Sequence, residues 1–232
     1  MFWHQFTTGV ATRYPHPMIL EYLTVGPFQE NSYILGDEET KDAILIDPGH
    51  GAEAILKRVE ALGLKVMAIV NTHAHIDHVG GVEAVQKALG VPFLLHPDDL
   101  PLLEALPKQA AMFGLPPIVV PRVDRHLEDG GRFKVGKIEI EIIHTPGHSP
   151  GSVSFWIGPR DLIGGDVLFN GSIGRTDLPG GDHDHLLETI RKKLFNLPDD
   201  TRVWSGHGPE TTIGEEKKFN PFVGETPRVT EW

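Results

Sequence analysis

Residues 72–78 read Thr-His-Ala-His-Ile-Asp-His, which places four metal-binding groups, His73, His75, Asp77 and His78, in a single short run. Imidazole nitrogen and carboxylate oxygen are the ligands of zinc and similar divalent ions, and catalytic sites mix the two. On a helix His73, His75 and Asp77 would splay around the axis. The spacing therefore predicts a loop at a strand end, from which the side chains converge. Three further segments offer the same chemistry. His144-Thr145-Pro146-Gly147-His148-Ser149 presents His148 from a Pro-Gly turn, with His144 read as a structural imidazole or one that steadies a ligand. Gly164-Gly165-Asp166 sets a carboxylate beside glycines that let the backbone approach something closely. Ser205-Gly206-His207-Gly208-Pro209 adds a last imidazole. Together His73, His75, Asp77, His78, His148, Asp166 and His207 are too many ligands for one tetrahedral ion and suit two ions sharing a bridge.

The elements that must position these groups follow from the hydrophobic pattern. Val66–Val70 is a continuous apolar run, a buried strand that ends at Asn71. Ile138, Ile140 and Ile142 alternate with Glu139 and Glu141, the mark of a strand with one wet face. Asp161–Ile163 and Arg202–Trp204 precede the other two segments. All four segments thus leave strand ends, where open α/β sheets place their sites. Further strands are predicted at Met18–Val25, Asn31–Leu35, Ala43–Ile46, Phe93–Leu95 and Ser152–Ile157. Helices are predicted over Ala52–Leu62, stopped by Gly63, over a stripe of Val82, Val85 and Leu89 stopped by Gly90, and over Asp98–Leu106. Asp182 caps another with Leu186, Leu187, Ile190 and Leu194 on its apolar side, and Gly214–Phe219 is a short one. Residues 107–122, with Pro107, Pro116, Pro117 and Pro121, predict a surface excursion. Residues 1–17 read as an irregular lead-in to one domain over 18–232. Strands flanked by helices in both halves predict a layered α/β fold with sheet in the middle. Asp182-His183-Asp184-His185 looks ligand-like but opens a helix and reads as capping. His4, His16, His50, His96 and His126 stand alone and read as surface or core imidazoles.

Composition narrows the class. The 232 residues carry a formal net charge of −11 and no cysteine. The lack of cysteine excludes disulfides, thiolate metal sites and a cysteine nucleophile, and fits a reducing, cytoplasmic setting. The acidic balance, without a Lys/Arg cluster, argues against a nucleic-acid partner. The first residues have neither the basic nor the apolar region of a signal peptide. No apolar run approaches the ~20 residues that a membrane helix needs.

Taken in order, the His-x-His-x-Asp-His run, the His144–Ser152 turn, Gly164–Phe169 and Ser205–Pro209 resemble the motifs of the metallo-β-lactamase superfamily. Within it the resemblance is strongest to glyoxalase II-type hydroxyacylglutathione hydrolases, over about residues 19–223. It implies an αββα sandwich in which His73, His75 and His148 hold one divalent ion. Asp77, His78 and His207 would hold a second, with Asp166 bridging. Asp47, in the turn Asp47-Pro48-Gly49, corresponds to a residue that steadies a ligand histidine. The implied cofactors are two divalent ions, zinc foremost, with iron or manganese as other occupants. The implied reaction is attack of a bridging hydroxide on a thioester such as S-lactoylglutathione, with Asp77 orienting or receiving the proton. Arg175 falls where these enzymes carry a lysine for the glutathione glycine carboxylate. An arginine can bind that group bidentately, though Asp177 is an equal candidate partner. Only 25 residues follow His207, so the chain is similar to the short branch without the C-terminal helical domain that supplies further glutathione contacts. The chain also resembles persulfide dioxygenases, through the same motifs and Gly174-Arg175-Thr176-Asp177. That alternative implies one iron on His73, His148 and Asp166, acting on glutathione persulfide.

Overall fold

The computed structural model describes residues 16–229. Nearly all of the lead-in expected over 1–17, His4 included, lies outside them. In the first half β1 (Met18–Val25), β2 (Glu30–Asp37), β3 (Asp42–Ile46), β4 (Lys65–Val70), β5 (Phe93–Leu95) and β6 (Arg125–His126) form one sheet in sequence order. The first three pair antiparallel and the rest parallel. Parallel pairing needs crossovers, and helices supply most of them: α1 (Ala52–Leu62), α2 (Ile76–Val79), α3 (Val82–Leu89), α4 (Leu100–Glu104) and α5 (Leu106–Met112).

The second half adds β7 (Arg132–Val135), β8 (Ile138–His144), β9 (Val153–Ile157) and β10 (Asp161–Gly165). The small hairpin of β11 (Leu168–Phe169) and β12 (Ser172–Ile173) follows, then α6 (His183–Lys192), β13 (Arg202–Ser205), β14 (Thr211–Thr212) and α7 (Ile213–Phe219). The second sheet runs β14-β13-β10-β9-β8-β7, and only β10 and β13, joined through α6, pair parallel.

Alternation along the strands builds three apolar layers. Tyr33, Leu35, Ile44 and Ile46 point between the sheets, where they pack with Ile140, Phe155 and Ile163. Their neighbours Ile34, Leu45 and Ile69 point to the opposite face and meet Ile55, Val59, Val82 and Val85 of α1 and α3. On the far side Leu162 and Val203 meet Leu186 and Ile190 of α6. Sheet faces sheet with helices outside both, the expected αββα sandwich.

Two local expectations change. The helix expected over Asp98–Leu106 is a 3₁₀ turn, Pro97–Asp99, followed by α4. The excursion expected from residue 107 begins instead with α5. Pro107 lies in the first turn of that helix, where its missing N–H has no intrahelical partner to lose.

Candidate metal centre

β4 is buried toward its end and delivers the chain to Asn71, whose side-chain amide donates to the His78 carbonyl oxygen at 2.7 Å. His73 and His75 lie on the extended segment that follows, whereas Asp77 and His78 occupy the single turn of α2. The run is half loop and half helix rather than loop throughout. His148 follows β8, Asp166 follows β10 and His207 follows β13, so every expected ligand leaves a strand end.

All seven residues come together. His148 Nε2 lies 3.2 Å from His73 Nε2 and 2.9 Å from His75 Nδ1, a buried triangle of imidazole nitrogens. Beside it, Asp77 Oδ2 lies 3.2 Å from His207 Nε2 and 3.8 Å from His78 Nε2. Asp166 stands between the two groups. Its Oδ2 is 3.7 Å from His148 Nε2 and 3.5 Å from His207 Nε2, and its Oδ1 is 3.4 Å from His78 Nε2.

The outer nitrogens orient the inner ones. His148 Nδ1 donates to the Arg175 carbonyl at 2.7 Å, and His207 Nδ1 to the Phe28 carbonyl at 3.1 Å. His78 Nδ1 donates to Asp47 Oδ2 at 3.0 Å. Asp47, at φ 50°, also accepts from the Thr72 amide and hydroxyl at 2.6 Å each. With its own proton given to Asp47, Thr72 Oγ1 accepts from His73 Nδ1 at 3.0 Å. Each of these four rings therefore turns its Nε2 toward the centre, where it offers a lone pair to a metal ion once any proton there is displaced. His78 Nε2 and Asp166 Oδ1 are buried and make no hydrogen bond. Such orphans cost about 1–3 kcal/mol apiece unless something satisfies them, and a divalent cation fits this convergent donor set.

The two groups differ electrically. Burial lowers the His73 pKa well below the usual imidazole value. Burial and the neighbouring His148 take His75 down to about 3. Burial also opposes a charge on His78, yet the carboxylates of Asp166 and Asp77 outweigh it and raise its pKa. His207 is likewise pushed up to about 10, burial being overcome by its bonds to Asp166 and Asp77.

Asp99 has no counterpart among the residues picked out from sequence. It is buried, and its Oδ2 accepts from the Ala74 amide at 2.8 Å and from Ser149 Oγ at 2.9 Å, while Oδ1 accepts from the Gly151 amide at 2.6 Å. One carboxylate thus ties the His73–His78 segment to the His148 turn. Its place at the start of a Leu-rich helix gave no cue beyond capping. Gln109 of α5 adds a second tie, accepting from the Ile76 amide at 3.0 Å.

Other histidines behave differently. Asp182 accepts from the His185 amide at 2.9 Å, the expected cap of α6. His96 and His144 lie near Asp98. Their rings stack at 4.2 Å and 10°, and His144 Nε2 donates to the Pro150 carbonyl at 2.9 Å. Parallel rings cannot turn their in-plane lone pairs onto one ion, so this trio is a packing arrangement.

A cavity of about 650 Å³ opens beside the centre, with His75, Asp77, His148, Asp166 and His207 in its wall. Arg175 also lines it, but its guanidinium is held bidentately by Asp177 through two 2.7 Å hydrogen bonds.

Residues 25–207 match the metallo-β-lactamase superfamily. The chain belongs to that superfamily. Hydroxyacylglutathione hydrolase GloC of Haemophilus influenzae is 42% identical, over 89% of this chain and 98% of its own. The crystal structure of the BLEG-1 B3 metallo-β-lactamase superposes with a TM-score of 0.82 at 42% identity, covering 88% of this chain and 99% of that one. That of TTHA1623 in a di-iron-bound form gives 0.79 at 45%, covering 87% and 98%. Membership, with the His/Asp clusters above, makes the chain a metal-dependent hydrolase whose centre takes divalent metal.

Proposed function

We propose that this metallo-β-lactamase superfamily member is a binuclear hydrolase that cleaves a thioester such as S-lactoylglutathione. The observation that carries the reading is the position of Asp166, with one oxygen near both His148 and His207 and the other facing His78. His73, His75 and His148 hold one ion; Asp77, His78 and His207 hold the other; Asp166 serves both. Bound there, two divalent ions supply a water acidic enough to attack at neutral pH and Lewis-acid polarisation of a carbonyl. The chain's own contribution is orientation. Asp47, Thr72 and the carbonyls of Arg175 and Phe28 fix the imidazoles, and Asp77, in the cavity wall, is placed to receive a proton. A thiolate is a good leaving group, which suits a site with no strong general acid. The 42% identity to GloC, itself a hydroxyacylglutathione hydrolase, supports the thioester. Arg175, steadied by Asp177, lies at the cavity edge for an anionic thiol group. Zinc is the first choice of metal, with iron favoured if this chain is loaded as TTHA1623 is. We place the enzyme in the cytoplasm with a small-molecule substrate and no nucleic-acid or membrane partner. Among the described residues no helix is long and apolar enough to cross a membrane.

The test is elemental analysis of protein purified without chelators, paired with thioester and oxygen-uptake assays. Two metals per chain with hydrolysis of S-lactoylglutathione is the expected result. One iron per chain, with oxygen uptake on glutathione persulfide and no hydrolysis, would overturn the reading in favour of a dioxygenase.

A further inference from the structure

Beside the ligand groups, much of the lining of the cavity next to the centre is apolar, with Phe28, Met112, Phe113, Phe169 and Leu178 among its residues. The Phe28 and Phe113 rings meet edge to face at 5.2 Å. Met112 is 69% exposed and Phe113 42%. Large apolar side chains left open beside a reactive centre mark a surface that a ligand covers. The cavity falls within the ~300–1,000 Å³ that encloses ligands of moderate size.

This apolar lining is held in register with the chemistry at two points. The Phe28 carbonyl accepts from His207 Nδ1, so the residue that carries one ring also orients a ligand. α5, which bears Met112, is pinned to the start of α2 through Gln109. A substrate seated on the metals therefore has part of its body against this lining. A glutathionyl group is polar and charged and does not dry such a wall. A lactoyl group is small and carries a hydroxyl.

We propose that the preferred substrates are thioesters whose acyl group is extended and apolar, several methylenes or an aromatic ring, lying against Phe28, Phe113 and Met112. The inference rests on the thioester-hydrolase reading and deepens it by specifying the acyl half. Lys108 projects from the same helix into the cavity lining, and among the described residues no carboxylate pairs with it, so the rim retains a cation for the anionic thiol half.

The experiment holds the thiol constant. Metal-loaded enzyme is assayed on S-acetyl-, S-butanoyl-, S-hexanoyl-, S-phenylacetyl- and S-lactoylglutathione. Burial of each methylene is worth about fourfold, so kcat/KM is expected to climb about threefold to fourfold per carbon from acetyl to hexanoyl. Hexanoyl should exceed lactoyl at least tenfold. Phe113→Ala should pull the hexanoyl-to-acetyl ratio down by about tenfold. Met112→Gln, at an exposed position that tolerates polarity, should lower it severalfold even if Phe113→Ala fails to fold. A flat series, or lactoyl preferred over hexanoyl, overturns the acyl assignment and leaves the hydrolase standing. Hydrolysis of none of the five by enzyme with its metals in place defeats the thioester reading, and the acyl assignment with it.

Discussion

The shared role proposed for Asp166 requires both of its carboxylate oxygens to stay clear of further neighbours, and Gly206 shows how narrow that condition is. A Cβ at residue 206 would sit 2.1 Å from Asp166 Oδ1 and 2.7 Å from His78 Cε1. The backbone there cannot back away, since the Gly206 amide donates to Gly165 O at 2.9 Å and its carbonyl accepts from the Asn31 amide at 2.7 Å. Gly206→Ala is therefore expected to turn Asp166 out of place, weaken metal binding by about 10- to 100-fold and remove most activity, with circular dichroism unchanged. Full metal content in that variant would show that Asp166 is not shared. At this scale the sequence was informative wherever a residue type itself carries chemistry. The seven expected ligands all converge, because imidazoles and carboxylates clustered after strands have few other uses. It was uninformative where only tertiary placement creates the role. Asp99 looked like any helix-start aspartate, and the choice between a ligand and Asp177 as partner of Arg175 depended on a rotamer.

The segments that carry the seven expected ligands belong to different sheets: His73 to His78 follow β4 of the first, while His148, Asp166 and His207 follow strands of the second. Something other than metal must keep the loops in step, and Asp99 spans them with three hydrogen bonds. Asp99→Asn keeps the size but turns an NH₂ group toward amide and hydroxyl donors. It is expected to cost about 2–3 kcal/mol, read as a lower melting temperature of both metal-free and loaded protein, with weaker metal binding although no ligand has changed. An unaltered melting temperature and metal affinity would reduce Asp99 to a bystander. Elements with long periodic runs were legible to within a residue or two, β1, α1 and α3 among them. The two-residue strands β6, β11, β12 and β14 carry no period to read. α5 was hidden because Pro107 announces a turn unless it is known to lie in a first helical turn.

For the molecule as a whole, the centre stitches the two sheets together, so metal binding is coupled to folding and to protons. In metal-free protein at neutral pH His73 and His75 are already uncharged, with His75 near 3, while His78 and His207, the latter near 10, carry protons held by Asp77 and Asp166. A raised pKa stabilises the folded metal-free chain fully below the unfolded histidine value of about 6.5 and loses that contribution as pH rises toward 10. A metal ion at the second cluster must displace those same protons. Its affinity should therefore rise with pH through the neutral range, up to tenfold per unit for each proton released, and more steeply than at the first cluster, where His73 and His75 have no proton to give up. Because only the folded chain presents both clusters, the melting-temperature gain from added Zn²⁺, about 4 kcal/mol at a thousandfold excess over Kd, should also grow from pH 6 to pH 8. Calorimetric titration of metal-free protein in buffers of different ionisation enthalpy counts the protons. The event at the second cluster should release one to two protons, and the event at the first should release fewer. Equal release at both sites would mean that the two clusters are not the unlike pair that their surroundings make them, and that the division of ligands between them is wrong.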